Sequence, residues 1–247
     1  MSTEKIYKAV VEVAKRRLGA KKQIITYLDV GAGRGELIKM MNSELNVQAQ
    51  ACDYHVERFS HAGVPIRQVN LNTEDLPYDD NTFDLVTCTE VIEHLENYRK
   101  AVRKVYRVLM PGGVAIFTTP NVLNMNSRTR FLGSGFFNLF GPLPVKNDKL
   151  YSTGGHITPI PYFYLAHALL DAGFSDIKLS YDKKQRSSSA KVILFSPFLL
   201  VGRLFFWRNE VKRFKTITPE NKPLVDSHFT WGVLTARTIV VSAQKIA

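Results

Sequence analysis

The sequence predicts an α/β domain built on a parallel sheet, and three observations carry that prediction. Short β-rich runs alternate with segments of helical periodicity through the first half of the chain, which is the pattern of βαβ units. A glycine cluster at 31–35 stands directly between a strand-like run and a helix-like one. The chain is 247 residues long, 45% apolar and 22% charged, which fits one folded domain with insertions (1–247) and excludes disorder, collagen or a disulfide scaffold for the whole chain.

Taken in order, 24–30 (IITYLDV) reads as a buried first strand, and 36–45, with Leu37, Met40 and Met41 at helical spacing, as the helix after it. Strands follow at 47–52, 66–71 and 83–88. The segment 96–109 places Ala101, Val102, Val105, Val108 and Leu109 on one helical face, and Pro111-Gly112-Gly113 is expected to stop that helix before a strand at 114–118. In the second half, 161–172 reads as a helix ending at Gly173, 174–181 as a strand and 238–243 as the last strand. Two stretches exceed ordinary connections: 122–156, rich in Gly, Asn, Pro and Phe, is expected to form a lid or substrate insertion, and 182–230 a basic and apolar insertion.

Charge divides unevenly along the chain. Residues 1–121 hold 16 Lys and Arg against 15 Asp and Glu, while 122–247 hold 17 against 7, so nearly all of the net +11 lies in the second half. An anionic partner on that side is one reading, and solvated lysines that aid solubility are the other. The two cysteines, Cys52 and Cys88, lie in apolar strand-like runs, as buried thiols of a reducing compartment do, and charges interrupt the N-terminal apolar residues in a way no signal peptide shows. A cytoplasmic protein is expected.

Asp29-Val30-Gly31-Ala32-Gly33-Arg34-Gly35-Glu36 carries the sharpest signal. Glycines allow a tight turn and close backbone approach to a ligand, and free N–H groups at a helix start meet acceptor oxygens. A dinucleotide fingerprint has its third glycine where this chain has Glu36, and carboxylates at Asp29 and Glu36 repel a pyrophosphate. Both suit a ligand with an amino-acid moiety and a sulfonium. Asp53, at the end of the second strand, is placed to accept both hydroxyls of a ribose.

Together with Leu76-Pro77-Tyr78-Asp79-Asp80-Asn81-Thr82-Phe83-Asp84-Leu85-Val86 and Arg107-Val108-Leu109-Met110-Pro111-Gly112-Gly113, this loop resembles the class I S-adenosylmethionine-dependent methyltransferases, most of all the subgroup that includes the ubiquinone-biosynthesis O-methyltransferases. The resemblance covers about 24–121 strongly and 154–180 weakly. It implies a Rossmann-like seven-stranded, mostly parallel sheet with helices on both faces and an antiparallel last strand. It also implies S-adenosylmethionine as cofactor, with Asp29, Gly31 and Gly33 at its methionine end, Asp53 at its ribose and Asn70 or Asn72 near its adenine, where the family usually carries an acid. Ala32, Gly35, Tyr54, Leu71 and Thr89 complete the candidate cofactor-binding set.

After the fourth strand comes Thr89-Glu90-Val91-Ile92-Glu93-His94. A helix beginning here places Glu90, Glu93 and His94 on one face, at the carboxyl edge of the sheet. His94 is the natural base for an alcohol or phenol nucleophile. No resident metal is expected. The alternative is a divalent cation on Glu90, Glu93, His94 and His156, a set similar to the metal site of some RNA 3′-end and quinone methyltransferases. Asn121, closing the fifth strand, is a candidate for hydrogen bonding the acceptor, or simply a turn residue.

The segment 192–207 (VILFSPFLLVGRLFFW) has basic flanks, a pattern suited to a membrane interface, or else it docks on the protein's own core. It is too short and interrupted to be expected to span a bilayer. The function expected is O-methylation of a small or membrane-presented acceptor such as a lipid-linked glycan or quinol. An RNA methyltransferase and a non-catalytic S-adenosylmethionine-binding regulator are the alternatives.

Overall fold

The computed structural model describes residues 2–19, 24–144 and 155–246. Residues 145–154 of the expected 122–156 insertion, Gly154 included, lie outside the described residues.

Seven strands form one sheet: β1 (Ile25–Val30), β2 (Val47–Asp53), β3 (Ile66–Gln68), β4 (Phe83–Thr89), β5 (Leu109–Pro120), β6 (Phe174–Tyr181) and β7 (Thr238–Lys245). Their order is β3-β2-β1-β4-β5-β7-β6. The first five run parallel, and β7 pairs antiparallel with both β5 and β6. Chain order reverses between β1 and β4, so the carboxyl ends of these two strands border the crevice where open α/β sheets bind ligands.

Alternation along the central strands supplies two cores. Tyr27 and Leu85 point to one face, which α1 (Ser2–Leu18) and α2 (Glu36–Glu44) cover with Ile6, Val10, Leu37, Ile38 and Met41. Leu28, Val86 and Cys88 point to the other, covered by α3 (Tyr98–Val108) and α5 (Tyr162–Asp171) through Val102, Val105, Leu165 and Leu169. Each fully buried valine or leucine here contributes about 1.5–3 kcal/mol relative to exposure. Between them in sequence lies α4 (Met125–Ser134), and three further helices follow β6: α6 (Arg186–Trp207), α7 (Lys222–Ser227) and α8 (Trp231–Thr235).

Local chemistry moves several boundaries from their expected places. Helix α3 starts at Tyr98 because the Asn97 side chain accepts the Lys100 N–H and caps it. The Pro111-Gly112-Gly113 turn does not separate helix from strand: β5 begins at Leu109, directly after α3, and the turn is an irregularity between the Phe83↔Leu109 and Leu85↔Val114 pairs. Strand β3 closes at Gln68 rather than at 71, since the chain from Asn70 onward turns as the Asn70 and Asn72 N–H groups donate to the side-chain oxygens of Glu74 and Asn70. Helix α1, unassigned from the sequence, buries an amphipathic face comprising Ile6, Val10, Val13 and Ala14.

Candidate active site

The site begins with the turn out of β1. Gly31 takes φ +77°, and a Cβ there would stand 2.2 Å from Val91 Cγ2, so no side chain fits. Gly33, at φ +55°, has open space where a Cβ would be. Its N–H donates to Asp53 Oδ2 at 2.8 Å, while His55 N–H donates to Oδ1 at 2.7 Å. Asp53 thus ties the glycine loop to the end of β2, and each oxygen keeps a lone pair for a further donor.

Gly31, Asp53, Tyr54, Asn70, Leu71 and Asn72, all expected from the sequence, line an open cavity of 330 Å³ with Glu90 and His94. Such a volume accommodates a nucleoside-sized ligand. The Asn70 side-chain Oδ1 accepts the Asn72 N–H, and the Asn72 side-chain Oδ1 accepts the Glu96 N–H, so each amide oxygen has one lone pair left. Cys52, His55, Arg58, Val69, Val91 and Leu95 complete the walls. None of these six carries a sequence signal of its own: His55 and Arg58 sit on an irregular turn, and the others are apolar residues indistinguishable from core.

Other expected cofactor residues stand off the wall. Asp29 is buried beneath the loop, where its carboxylate accepts from Thr87 Oγ1 at 2.7 Å, and burial pushes its pKa up to about 7. It lies behind the turn and is not among the residues that line the cavity. Ala32 is buried, Gly35 is packed against Phe59 and His61 at the start of α2, and the hydroxyl of Thr89 is buried without a partner.

The Glu-Val-Ile-Glu-His stretch is not the start of an α-helix. Glu90 adopts φ +55°, and Ile92–His94 form a 3-10 turn. The three polar residues therefore do not share one helical face. Glu90 and His94 face the cavity, whereas Glu93 turns inward, fully buried, with both carboxylate oxygens unpartnered. Burial raises the pKa of Glu90 to about 7, opposed by the hydroxyl of Thr118, which donates to Oε1 at 3.0 Å. Burial raises Glu93 well above the ordinary range, reinforced by the charge of Glu90.

His94 Nδ1 lies 2.9 Å from the Gly155 carbonyl oxygen. A carbonyl only accepts, so Nδ1 carries the proton and Nε2 keeps its lone pair. Burial lowers the imidazole pKa below its ordinary value, which keeps the ring neutral at pH 7. The strap that supplies Gly155 is held because Ile157 and Thr158 donate their N–H groups to the Glu93 carbonyl at 2.9 and 3.0 Å. It brings the His156 ring to 4.7 Å from that of His94, and the far side of His156 meets Phe140 at 5.2 Å.

Glu93, His94 and His156 each offer one ligand atom within 4.8 Å of the others. One carboxylate and two imidazoles fit a divalent cation, and the orphaned oxygens of Glu93 and the orphaned Nδ1 of His156 are what such an ion would satisfy. Glu90 lies outside this set. Asn121 is also reassigned: its amide donates to the carbonyls of Val233 and Ala236 and accepts the Leu123 N–H. It pins α8 to the end of β5, with both amide protons committed to that role and the side chain buried away from the cavity lining.

A cleft at the β1/β4 switch point, walled by a glycine turn, a carboxylate suited to a ribose and the His94 imidazole, has the form of a nucleoside-cofactor site. Comparison with known proteins makes this specific. Residues 28–117 match the family described as Methyltransferase domain. The chain is 26% identical over 163 residues to human mitochondrial "Arginine-hydroxylase NDUFAF5" (64% of this chain, 44% of the relative). It is also 26% identical over 136 residues to the ubiquinone/menaquinone biosynthesis C-methyltransferase UbiE of Idiomarina loihiensis (49% and 54%). It thus spans about half the length of these curated relatives. A SAM-dependent methyltransferase from Archaeoglobus fulgidus shares the fold, with TM-score 0.58 at 14% identity over 97% of this chain and 94% of that one. Residues 28–117 thus carry a methyltransferase domain, similar in sequence and fold to the class I S-adenosylmethionine-dependent methyltransferases, whose cofactor is S-adenosylmethionine.

Proposed function

We propose that the protein transfers the methyl group of S-adenosylmethionine to a hydroxyl oxygen of an acceptor that carries an apolar, membrane-resident portion, such as a quinol or a lipid-linked glycan. The observation that carries this reading is His94, neutral and fixed through Nδ1–H, with Nε2 free in the cavity that Asp53 also lines. Methyl transfer is an in-line displacement, so alignment supplies much of the rate. An oxygen nucleophile must also lose a proton, and Nε2 receives it. Two observations support the acceptor class: the similarity to the ubiquinone/menaquinone biosynthesis C-methyltransferase UbiE and the large apolar side chains exposed on α6. A regulator without catalysis has no use for a base held in this way. The two buried free thiols, Cys52 and Cys88, support a reducing, cytoplasmic location.

His94→Ala is expected to reduce turnover by roughly 10²–10⁴-fold with cofactor affinity nearly unchanged. The assay is mass spectrometry of extracts from cells without the protein, incubated with purified protein and isotope-labelled S-adenosylmethionine, to find the metabolite that gains the label. Labelling on carbon, or full activity in His94→Ala, refutes the oxygen-and-base reading.

The orphaned carboxylate of Glu93 favours a second reading, in which a divalent cation on Glu93, His94 and His156 orients the acceptor and His94 is not the base. Activity lost to chelator and restored by Mg²⁺ or Mn²⁺ selects it.

A further inference from the structure

Helix α6 carries one apolar stripe that the fold uses and a wider apolar face that it leaves exposed, which includes Ile193, Leu200 and Leu204. Ser188, Val192, Phe195 and Leu199, spaced i, i+4, i+7, i+11, form the inward stripe: Val192, Phe195 and Leu199 pack with Met125 of α4 and Leu234 of α8, while Ser188 is buried beside Asn124. Leu194, Phe198, Val201 and Phe205 repeat the same spacing on another side of the helix. They are exposed, Leu194 by 71%, Phe198 by 76% and Phe205 by 64%. Pro197 does not break the helix, which runs 22 residues and continues into a π turn, Arg208–Arg213. The combined segment is long and apolar enough by length and composition to cross a membrane.

It does not cross. Both ends are held on the same globular domain. At the start, Ser187 Oγ accepts from Asn126 Nδ2 of α4. At the end, Phe206 packs on Phe229 with centroids 5.9 Å apart and Arg203 sits 3.7 Å from Asp226, on a segment whose His228 accepts the Phe163 N–H of α5. Crossing would require these contacts to span the bilayer. Charge decides what covers the outward stripe. Residues 183–215 contain nine Lys and Arg and one acid, Glu210. Lys184 and Arg186 are exposed before the stripe, and Arg208, Lys212, Arg213 and Lys215 after it. A second copy of the chain would set these cations against their own kind, whereas anionic lipid headgroups complement them.

We propose that α6 lies in the plane of an anionic bilayer with Leu194, Phe198, Val201 and Phe205 inserted among the acyl chains and the basic residues at both ends on headgroup phosphates. This rests on, and deepens, the membrane-presented acceptor proposed above, because α6 is joined to the catalytic cluster. Lys191 donates to Thr129 Oγ1 of α4 at 3.0 Å, and the chain following α4 places Phe140 on His156.

Sedimentation with vesicles of equal parts phosphatidylglycerol and phosphatidylcholine tests this without any methyl transfer. The full chain is expected to bind these vesicles at least about ten-fold better than phosphatidylcholine alone, and to weaken as salt rises from about 0.1 to about 0.5 M. The combined Leu194→Ser, Phe198→Ser, Phe205→Ser variant should lose about ten-fold or more of that binding while keeping its melting temperature. Val192→Ser, on the inward stripe, should lower the melting temperature and leave vesicle binding at low temperature intact. A parent that stays in the supernatant, or a triple variant that binds like the parent, overturns the proposal. So does a parent dimer in ultracentrifugation that the triple variant dissolves while neither binds vesicles. S-adenosylmethionine binding, measured separately by calorimetry, reads the methyltransferase assignment independently.

Discussion

Asp53 holds the Gly33 and His55 N–H groups with opposite oxygens, so its carboxylate is oriented before any ligand arrives. Asp53→Ala is expected to weaken S-adenosylmethionine binding by about 1.5–3 kcal/mol in calorimetry, the range for hydrogen bonds to a charged group. Unchanged affinity would refute the ribose assignment. Glu93 makes a pH test available. Its pKa is raised well above the ordinary 4.5 by burial, so the folded chain keeps the proton that the unfolded chain releases. Stability contributed by the protonated form is fully present below the ordinary carboxylate pKa and is lost as pH rises toward the raised folded value. Glu93→Gln removes that loss, so its stability relative to the parent should grow as pH rises above the ordinary carboxylate range, read in urea melts across pH. A pH-independent difference would refute the buried, unpaired carboxyl, and a parent stabilised by divalent cation where the variant is not would support the metal reading.

At the scale of elements, the β1–α2 turn is the part least tolerant of change. Gly31→Ala requires both a positive φ and the displacement of Val91, a stiff β-branched neighbour that itself lines the cleft. A loss of about 1–3 kcal/mol in stability is expected, with S-adenosylmethionine binding lost in calorimetry. Full retention of both would mean that the turn rearranges freely. The strap Gly155–Thr158 is the complementary element, because it orients His94 through one carbonyl and delivers His156 through its own hydrogen bonds to Glu93.

For the whole molecule, binding at the crevice between β1 and β4 links the two sides of the sheet, so cofactor occupancy should raise global stability. At one hundred times its dissociation constant, S-adenosylmethionine is expected to stabilise the fold by about 2.7 kcal/mol. For a chain of this length that is a rise of about 5–10 °C in melting temperature. Scanning fluorimetry checks it, with NAD as the control. A larger rise with NAD would overturn the cofactor.

The α/β class, the central strands and the glycine turn were legible in the sequence because they rest on local patterns: period-2 and period-3.6 burial, and glycines where φ is positive. So were Asp53, Asn70, Asn72 and His94, since the carboxyl ends of parallel strands meet at one edge wherever such a sheet forms. The same local reasoning failed for residues whose direction depends on distant partners. Asp29 is turned under the loop by Thr87 on the neighbouring strand, Asn121 is occupied by carbonyls more than a hundred residues away, and Glu93 is turned inward after Glu90 enters a left-handed conformation. His55 and Arg58 reach the cleft from a turn without periodicity. The apolar character of 192–207 was plain in the sequence, but only tertiary packing separated a stripe the core uses from one it leaves exposed. Composition and spacing determine which residues can be buried or reactive; strand register, loop closure and long-range hydrogen bonds decide which of them face the cleft.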